Sequence, residues 1–284
     1  MSLSLSDVST LFGTTASQTS TGSLLQILYG GASQSAASGG NPLPALSQAE
    51  ANQATDIQTT AHQPAVARAI SQFTAAVQSA KSVQQLLQNP AVLQVLLTAN
   101  GLGDQTQYTA LAQKALTSDP SDPKSLVNQL ANTAWKSAAQ TYDFATKGLS
   151  IIQQPSVIST IANAYAEVTW RNSLDATTPG LSNALAFRQE ASGITSVDQI
   201  LGDPVLRTVV TTALGIPEQI AFQPLEAQER AISSQVNISR FKDPHFVETF
   251  TQQYLLAAGQ AASSTGSTTT DLSTLAAQSQ GLVV

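Results

Sequence analysis

The sequence predicts an all-α protein with a helical body of two similar, internally duplicated multi-helix lobes and flexible N- and C-terminal tails. The first observation is a repeat: residues 82–102, SVQQLLQNPAVLQVLLTANGL, return at residues 196–216 as SVDQILGDPVLRTVVTTALGI without a gap. The second is that apolar residues recur at helical spacing between helix-start signals. The third is that both ends are almost uncharged and rich in Gly, Ser, Thr and Gln, a composition typical of disorder.

These patterns divide the chain into four parts. They are a flexible N-terminal segment at residues 1–46, a first lobe at residues 47–149, a second lobe at residues 150–258, and a flexible C-terminal tail at residues 259–284. Short apolar clusters interrupt the N-terminal segment at residues 3–12 and 24–29, and a weak amphipathic pattern ends the tail. We expect these apolar tips to dock on the body or to become ordered only against a partner.

Each copy of the repeat has the pattern of a short helix, a break and a second helix. The start and stop signals occupy matching positions: Ser82 and Ser196, Asn89-Pro90 and Asp203-Pro204, and Gly101 and Gly215. Ser and Asx side chains cap a first helical turn, proline suits the first helical position, and glycine suits the left-handed residue after the last turn. The second helix is apolar on most sides, which predicts a buried core helix, with a groove for a partner's helix as the alternative.

Further start signals place the other helices. The first lobe opens with a capping box at Ser47–Glu50, and Pro64, Asp104 and Asp122-Pro123 start later helices, the last a long one through Tyr142. The helices of the second lobe start at Pro155, Pro179, Pro224 and Asp243-Pro244. We expect Asp243-Pro244 to correspond to Asp122-Pro123, and the two tryptophans, Trp135 and Trp170, to lie in the core.

Composition and charge exclude several classes of function. Only 11% of the residues are charged, the net charge is −6, and the 12 basic residues are scattered, which argues against nucleic-acid binding. The absence of cysteine excludes disulfides and thiolate chemistry. The N-terminus lacks the features of a Sec-type signal, and no apolar stretch is long enough for a transmembrane helix. Any exit from the cytoplasm is therefore expected to occur without a cleaved signal peptide.

The histidines, the carboxylates and the motifs of the sequence predict no catalytic, cofactor-binding or metal site. His62 and His245 are the only histidines, and neither has partners at metal-ligand spacing. Glu226 and Glu229 share a helix face and are expected to form a solvated surface. No nucleophile elbow, Walker loop or dinucleotide fingerprint occurs.

Two segments of the second half resemble a bacterial family of uncharacterised proteins, domain of unknown function 1217. They are residues 184–217, ALAFRQEASGITSVDQILGDPVLRTVVTTALGIP, and residues 232–255, ISSQVNISRFKDPHFVETFTQQYL. The first half fits the same pattern, so the resemblance covers residues 48–258 and leaves out both tails. Members of this family are usually met in flagellar gene clusters. The resemblance therefore implies an association with the flagellum, and it supplies no active-site residues.

Three functions follow as expectations. The first is a non-enzymatic, flagellum-associated structural or assembly protein that is a candidate for flagellar export, with flagellar components or the export machinery as protein partners. The second is a cytoplasmic helical binding module, such as an export chaperone or regulator, that uses an apolar groove between the lobes. The third is an enzyme, which a buried cluster of titratable side chains in a cleft would favour. The sequence leaves the oligomeric state open.

Overall fold

The computed structural model describes the backbone of residues 41–279 and the side chains of residues 41–263. Regular structure in this range is helical and includes no strand, which confirms the all-α prediction. The helices are α1 (Leu43–His62), α2 (Pro64–Ser79), α3 (Val83–Leu87), α4 (Pro90–Ala99), α5 (Thr109–Leu116), α6 (Leu126–Gln129), α7 (Ala134–Tyr142), α8 (Phe144–Lys147), α9 (Pro155–Leu174), α10 (Leu181–Glu190), α11 (Val197–Gly202), α12 (Pro204–Ala213), α13 (Leu225–Ser233) and α14 (Pro244–Ser279). Short 3-10 helices lie at Gly103–Gln105, Ala191–Gly193, Glu218–Phe222 and Ile238–Lys242.

Two clusters of buried apolar side chains form the core. The first cluster gathers side chains from α2 to α8 and the N-terminal part of α9, and the second gathers α10 to α14 with part of α1. Helix α9 serves both clusters, because Ile158 lies in the first and Trp170 in the second. Leu46 and Ala49 of α1 also lie in the second cluster. Helices α1 and α9 therefore contribute residues to both clusters.

The two repeated segments begin with the same local structure. Ser82 Oγ accepts a hydrogen bond from the backbone amide of Gln85 at 3.2 Å, and Ser196 Oγ accepts one from Gln199 at the same distance. In each copy an Asx side chain then caps the second helix by accepting from the amide two residues later, at 3.0 Å in the first copy and 2.8 Å in the second. The caps predicted from the sequence are thus confirmed in both copies.

The two segments also end in the same way. Gly101 and Gly215 have φ angles of 73° and 65°, the left-handed region in which glycine is favoured. The amide of the next residue, Leu102 or Ile216, donates at 2.8 Å to the carbonyl five residues earlier. This is the hydrogen-bond pattern of a Schellman motif. The buried second helices, α4 and α12, confirm the predicted core helices. Duplication of the whole lobes stays a prediction.

In its packing, the counterpart of α14 in the first half of the chain is α9, not a helix that starts at Asp122-Pro123. Helix α9 packs against α4, and α14 packs against α12. Both helices open with proline and place buried residues at the same spacing: Ile158 and Val247, Ile161 and Phe250, and Tyr165 and Tyr254. The expected correspondence between Asp243-Pro244 and Asp122-Pro123 is therefore wrong.

The long helix predicted from Asp122-Pro123 through Tyr142 is also wrong. The chain forms turns, the short helix α6, a bend and then α7. The Asn128 side chain donates to two backbone carbonyls of the preceding turn at 3.0 and 2.8 Å, which folds the chain back on itself. Asn132 Oδ1 accepts a hydrogen bond from the amide of Ala134 at 2.9 Å, and α7 begins there as a separate helix. These local side-chain hydrogen bonds thus outweigh the tendency of the continuous apolar stripe to form one long helix.

Helix α1 begins before the predicted capping box at Ser47–Glu50. Asn41 Oδ1 accepts from the amide of Leu43 at 3.1 Å, so that the helix already includes the last residues of the predicted N-terminal segment. Glu50 does not reach back to a helix end. Its carboxylate forms an ion pair with Arg188 of α10 at 2.9 Å, a contact that sequence spacing does not reveal.

Two further boundaries differ from the predictions. Asp104 lies inside a 3-10 helix, and α5 begins only at Thr109, so Asp104 does not cap that helix. Helix α14 continues to Ser279, through most of the segment predicted as a flexible tail from residue 259. The apolar clusters at residues 3–12 and 24–29 lie outside the described residues.

The matched caps make a testable pair. We expect Ser82→Ala and Ser196→Ala each to lower the free energy of unfolding by about 1 kcal/mol, because each leaves a helix amide without its acceptor. Urea denaturation followed by circular dichroism measures the change. Ser79→Ala is the control, since the Ser79 hydroxyl only donates to carbonyls within its own helix, and it should be neutral or slightly stabilising. Equal effects at all three positions would contradict the capping role.

Candidate functional site

A cleft of about 600 Å³ lies between the two core clusters. The end of α4, the start of α7, the facing sides of α9 and α10, and the start of α12 line it. Its walls combine small residues with polar and charged side chains. Four acidic residues and one basic residue line it: Asp104, Glu167, Glu190, Asp203 and Arg171. The cleft thus carries net negative charge, and polar and apolar atoms share its surface almost equally.

A hydrogen-bonded trio joins the two long walls of the cleft. Arg171 Nη1 donates to Gln189 Oε1 at 2.7 Å, and Gln189 Nε2 donates to Glu167 Oε1 at 2.7 Å. Arg171 and Glu167 also form an ion pair at 3.5 Å, one helical turn apart on α9. Because Gln189 belongs to α10, the trio fixes α10 against α9. Two charged side chains of the cleft, Arg171 and Glu167, are therefore engaged with each other and with Gln189.

Glu190 stands at the mouth of the cleft, where its side chain still meets solvent. Loss of hydration in these surroundings raises the pKa of the Glu190 carboxyl, and the negative charge of Asp203 raises it further. The positive charge of Arg171 opposes this shift of the pKa.

Other polar side chains around the cleft hold helix ends. Asp203 Oδ1 accepts from the amides of Val205 and Leu206 at 2.8 and 2.9 Å, which caps α12. Asp175 accepts from both the amide and the hydroxyl of Ser182 at the start of α10. These carboxylates interact with free amides of a first helical turn, where negative charge is favourable. Their positions have a structural explanation that does not involve a reaction.

Two buried tyrosines lie beside the cleft, and an asparagine of the cleft donates to each of them. Asn100 Nδ2 donates to the Tyr142 hydroxyl at 2.8 Å, and Asn183 Nδ2 donates to the Tyr254 hydroxyl at 3.4 Å. Burial raises the pKa of both tyrosines above the ordinary value, and the hydrogen bond from each asparagine lowers it partly. The phenols are thus held in their neutral form by the fold.

This burial predicts a loss of stability at alkaline pH. The folded-state pKa of each tyrosine lies above the unfolded value of about 10, so the contribution is complete below that pH and is lost as the pH rises through the folded-state values. We expect the free energy of unfolding to fall as the pH rises above about 9, and to fall less steeply in the double variant Tyr142→Phe/Tyr254→Phe. Urea titrations at each pH measure both slopes. If the free energy of unfolding depends on pH equally in the parent and in the double variant, other groups cause the loss of stability at alkaline pH.

The structure places the histidines apart, as the sequence predicts. His62 is exposed at the end of α1, with Nδ1 at 2.7 Å from the carbonyl of Gln58. His245 is exposed at the start of α14, where its amide donates to Asp243 Oδ1 at 3.0 Å. Trp135 and Trp170 are buried, which confirms the prediction that both belong to the core.

Glu226 and Glu229 lie on α13, away from the cleft. The Glu229 carboxyl hydrogen-bonds the carboxyl of Asp198 on α11, and this contact is the main reason that its pKa is raised. The negative charge of Glu226 contributes in the same direction. The sequence predicts a solvated surface here but does not reveal that carboxyl groups crowd one another.

The sequence predicts a groove between the lobes as one alternative, but it does not predict which residues line the cleft. Its walls come from helices that are far apart in the chain, so no motif marks it. One local signal existed: Glu167 and Arg171 are four residues apart on a predicted helix, a spacing that brings opposite charges together. Nothing local indicates that Gln189 and Glu190 face them.

Two kinds of site are absent from the part of the chain that the structure describes. No group of three or more His, Cys, Asp or Glu side chains there is arranged to hold a metal ion. None of the described helices combines the length and the apolar character needed to cross a membrane.

Comparison with known proteins identifies a family and a related fold. No curated protein matched the chain. A crystal structure of protein AGR_C_984 from Agrobacterium tumefaciens is similar, with a TM-score of 0.66 and 23% sequence identity, over 76% of this chain and 91% of that chain. At this identity the likeness shows the fold alone. The model of the family described as protein of unknown function (DUF1217) matches residues 99–247, just over half of the chain. The chain therefore belongs to the DUF1217 family.

Proposed function

We propose that this protein is a non-enzymatic, flagellum-associated structural or assembly protein and a substrate of the flagellar export system. The observation that carries the proposal is the resemblance of residues 184–217 and 232–255 to proteins of flagellar gene clusters. The composition supports export as well. A chain without cysteine has no disulfide to break before it is unfolded for transport.

The arrangement of the cleft supports a scaffolding role. Arg171, Glu167 and Gln189 bind one another across α9 and α10, and Asp203 caps α12. Each of these side chains thereby stabilises the relation of one helix to another. A catalytic carboxylate or base has to be oriented towards a substrate, whereas these side chains form their hydrogen bonds with neighbouring helices.

The alternative is a cytoplasmic helical binding module, such as an export chaperone or regulator. The cleft favours this alternative, because it lies between the core clusters and has room for a short segment of a partner. The net negative charge of the cleft favours a partner segment that carries basic residues.

Fractionation of the producing cell tests the proposal. We expect the protein in the basal structure of the flagellum or in the culture medium of cells with a working flagellar export system, and only in the cytosol when export is disabled. A cytosolic enzyme and a filament subunit provide the two reference distributions. A cytosolic location in both strains would overturn the proposal and favour the binding module.

A further inference from the structure

A second surface, outside the cleft, combines exposed apolar side chains with crowded negative charge. It consists of the 3-10 helix Glu218–Phe222 and the exposed side of α13, and we call it the Phe222 face. Phe222 is 89% exposed and Leu225 is 52% exposed. They are two of the four large hydrophobic residues that are exposed in the described part of the chain. Solitary exposed apolar residues are common, but these two lie three residues apart and so present their apolar surface together.

Phe222 is exposed although its loop is held firmly. Pro217 and Pro224 bracket the 3-10 helix, and half-buried Ile220 packs against the second core cluster. From α13, Gln228 Nε2 donates to the carbonyl of Gln223 at 2.8 Å and to that of Ala221 at 3.5 Å. The phenyl ring therefore stands on an anchored loop. A loop that is already anchored loses little conformational entropy when a partner covers it.

The charges around Phe222 define the partner. The stretch from Pro217 to Ser233 carries three glutamates and one arginine, and Asp198 of α11 adds a fourth acid. Glu218 and Glu226 are exposed, and α13 packs against α11, which carries Asp198. Four acids thus face one basic residue, Arg230, and like charges repel one another across this surface. The ion pairs described for this chain lie elsewhere, at Arg171 and Arg188. Positive side chains of a partner would relieve this repulsion.

We propose that the Phe222 face docks a protein partner that offers an apolar pocket for Phe222, rimmed by Lys or Arg side chains. A second copy of the chain is a poor match, because the net charge is −6 and the basic residues are scattered. An anionic lipid surface is disfavoured, since it would repel the same carboxylates. Docking at the Phe222 face requires no association with the flagellum.

Photo-crosslinking in the producing cell tests the docking. A benzoylphenylalanine is placed at position 222 of the full chain, and at position 108 as a control, because Tyr108 is also an exposed aromatic residue, at 52%. We expect one discrete adduct from position 222 and none from position 108, with Lys or Arg beside the crosslinked site of the partner. An absent adduct, an adduct with a second copy or with lipid, or a site without basic residues would overturn the proposal.

Affinity for the purified partner decides whether the contact is specific. We expect Phe222→Ala to weaken binding about tenfold or more, as loss of a central aromatic anchor does, and Tyr108→Ala to leave it unchanged. Glu226→Gln/Glu229→Gln should slow association and reduce its dependence on salt. Circular dichroism should show unchanged folding, since these side chains lie at the surface. Unchanged affinity in Phe222→Ala, or unchanged salt dependence in the glutamate variant, would refute the inference.

Discussion

Val210→Asp is expected to destabilise the body by several kcal/mol, a large part of the roughly 5–15 kcal/mol that stabilises a folded domain. Val210 lies on α12 with no exposed surface, among the apolar residues of the second core cluster. An aspartate there loses its hydration and finds no cationic partner in that cluster, so the cost is that of an unpaired buried charge. Urea denaturation followed by helical circular dichroism measures the loss.

A matched control separates burial from the simple addition of charge. Thr208→Asp adds the same carboxylate to the same helix at an exposed position, and we expect a change within about 0.5 kcal/mol. Leu96→Asp repeats the experiment in the first core cluster, where Leu96 is fully buried. Because α9 is shared, we expect each buried aspartate to lower the midpoint of one common transition. A stability change near zero at Val210 would show that α12 is not a core helix.

Gly202→Ala is the second large effect that we expect, a loss of about 1–3 kcal/mol from overpacking. A methyl group at Gly202 would stand 2.3 Å from the carbonyl oxygen of Ala131, far inside van der Waals contact. The obstacle is backbone and cannot rotate away, so α11 must separate from the segment between α6 and α7. Helix α11 contributes to the second core cluster and Ala131 lies in the first lobe, so the contact between Gly202 and Ala131 joins the two.

Gly259→Ala provides the control for this substitution. Gly259 also lies in a helix, and a methyl group there meets no atom within 4 Å. Alanine is favoured over glycine in helices by up to about 1 kcal/mol, so this variant is expected to be neutral or stabilising. Thermal and urea unfolding of both variants measure the difference. Equal stability of the two alanine variants would mean that α11 and Ala131 do not touch in solution.

The sequence predicted those features that depend on a few neighbouring residues. The caps at Ser82 and Ser196 and the left-handed turns at Gly101 and Gly215 are determined within one helical turn, and each was found as predicted. The buried character of α4 and α12 follows from their apolar composition alone. These features are predictable because they require no knowledge of which helices meet.

Features that depend on distant contacts were missed or misplaced. The apolar spacing from Leu126 onwards fits one long helix, but Asn128 and Asn132 bind the backbone and break it. The early start of α1 places Leu46 in a cluster built mainly from the second half of the chain. The lining of the cleft was unpredictable for the same reason, since only tertiary packing brings Gln189 to Glu167.

The position of α1 has a consequence for synthesis. Leu46 and Ala49 are made early, yet α9, against which α1 packs, begins about 90 residues after α1 ends, a separation that delays folding. At about 5–20 residues per second, a ribosome needs on the order of ten seconds or more to complete the rest of the body. During that interval Leu46 and Ala49 lack the residues of the second core cluster that bury them in the folded chain. The nascent protein thus offers a chaperone or a transport receptor an open target that closes when translation ends.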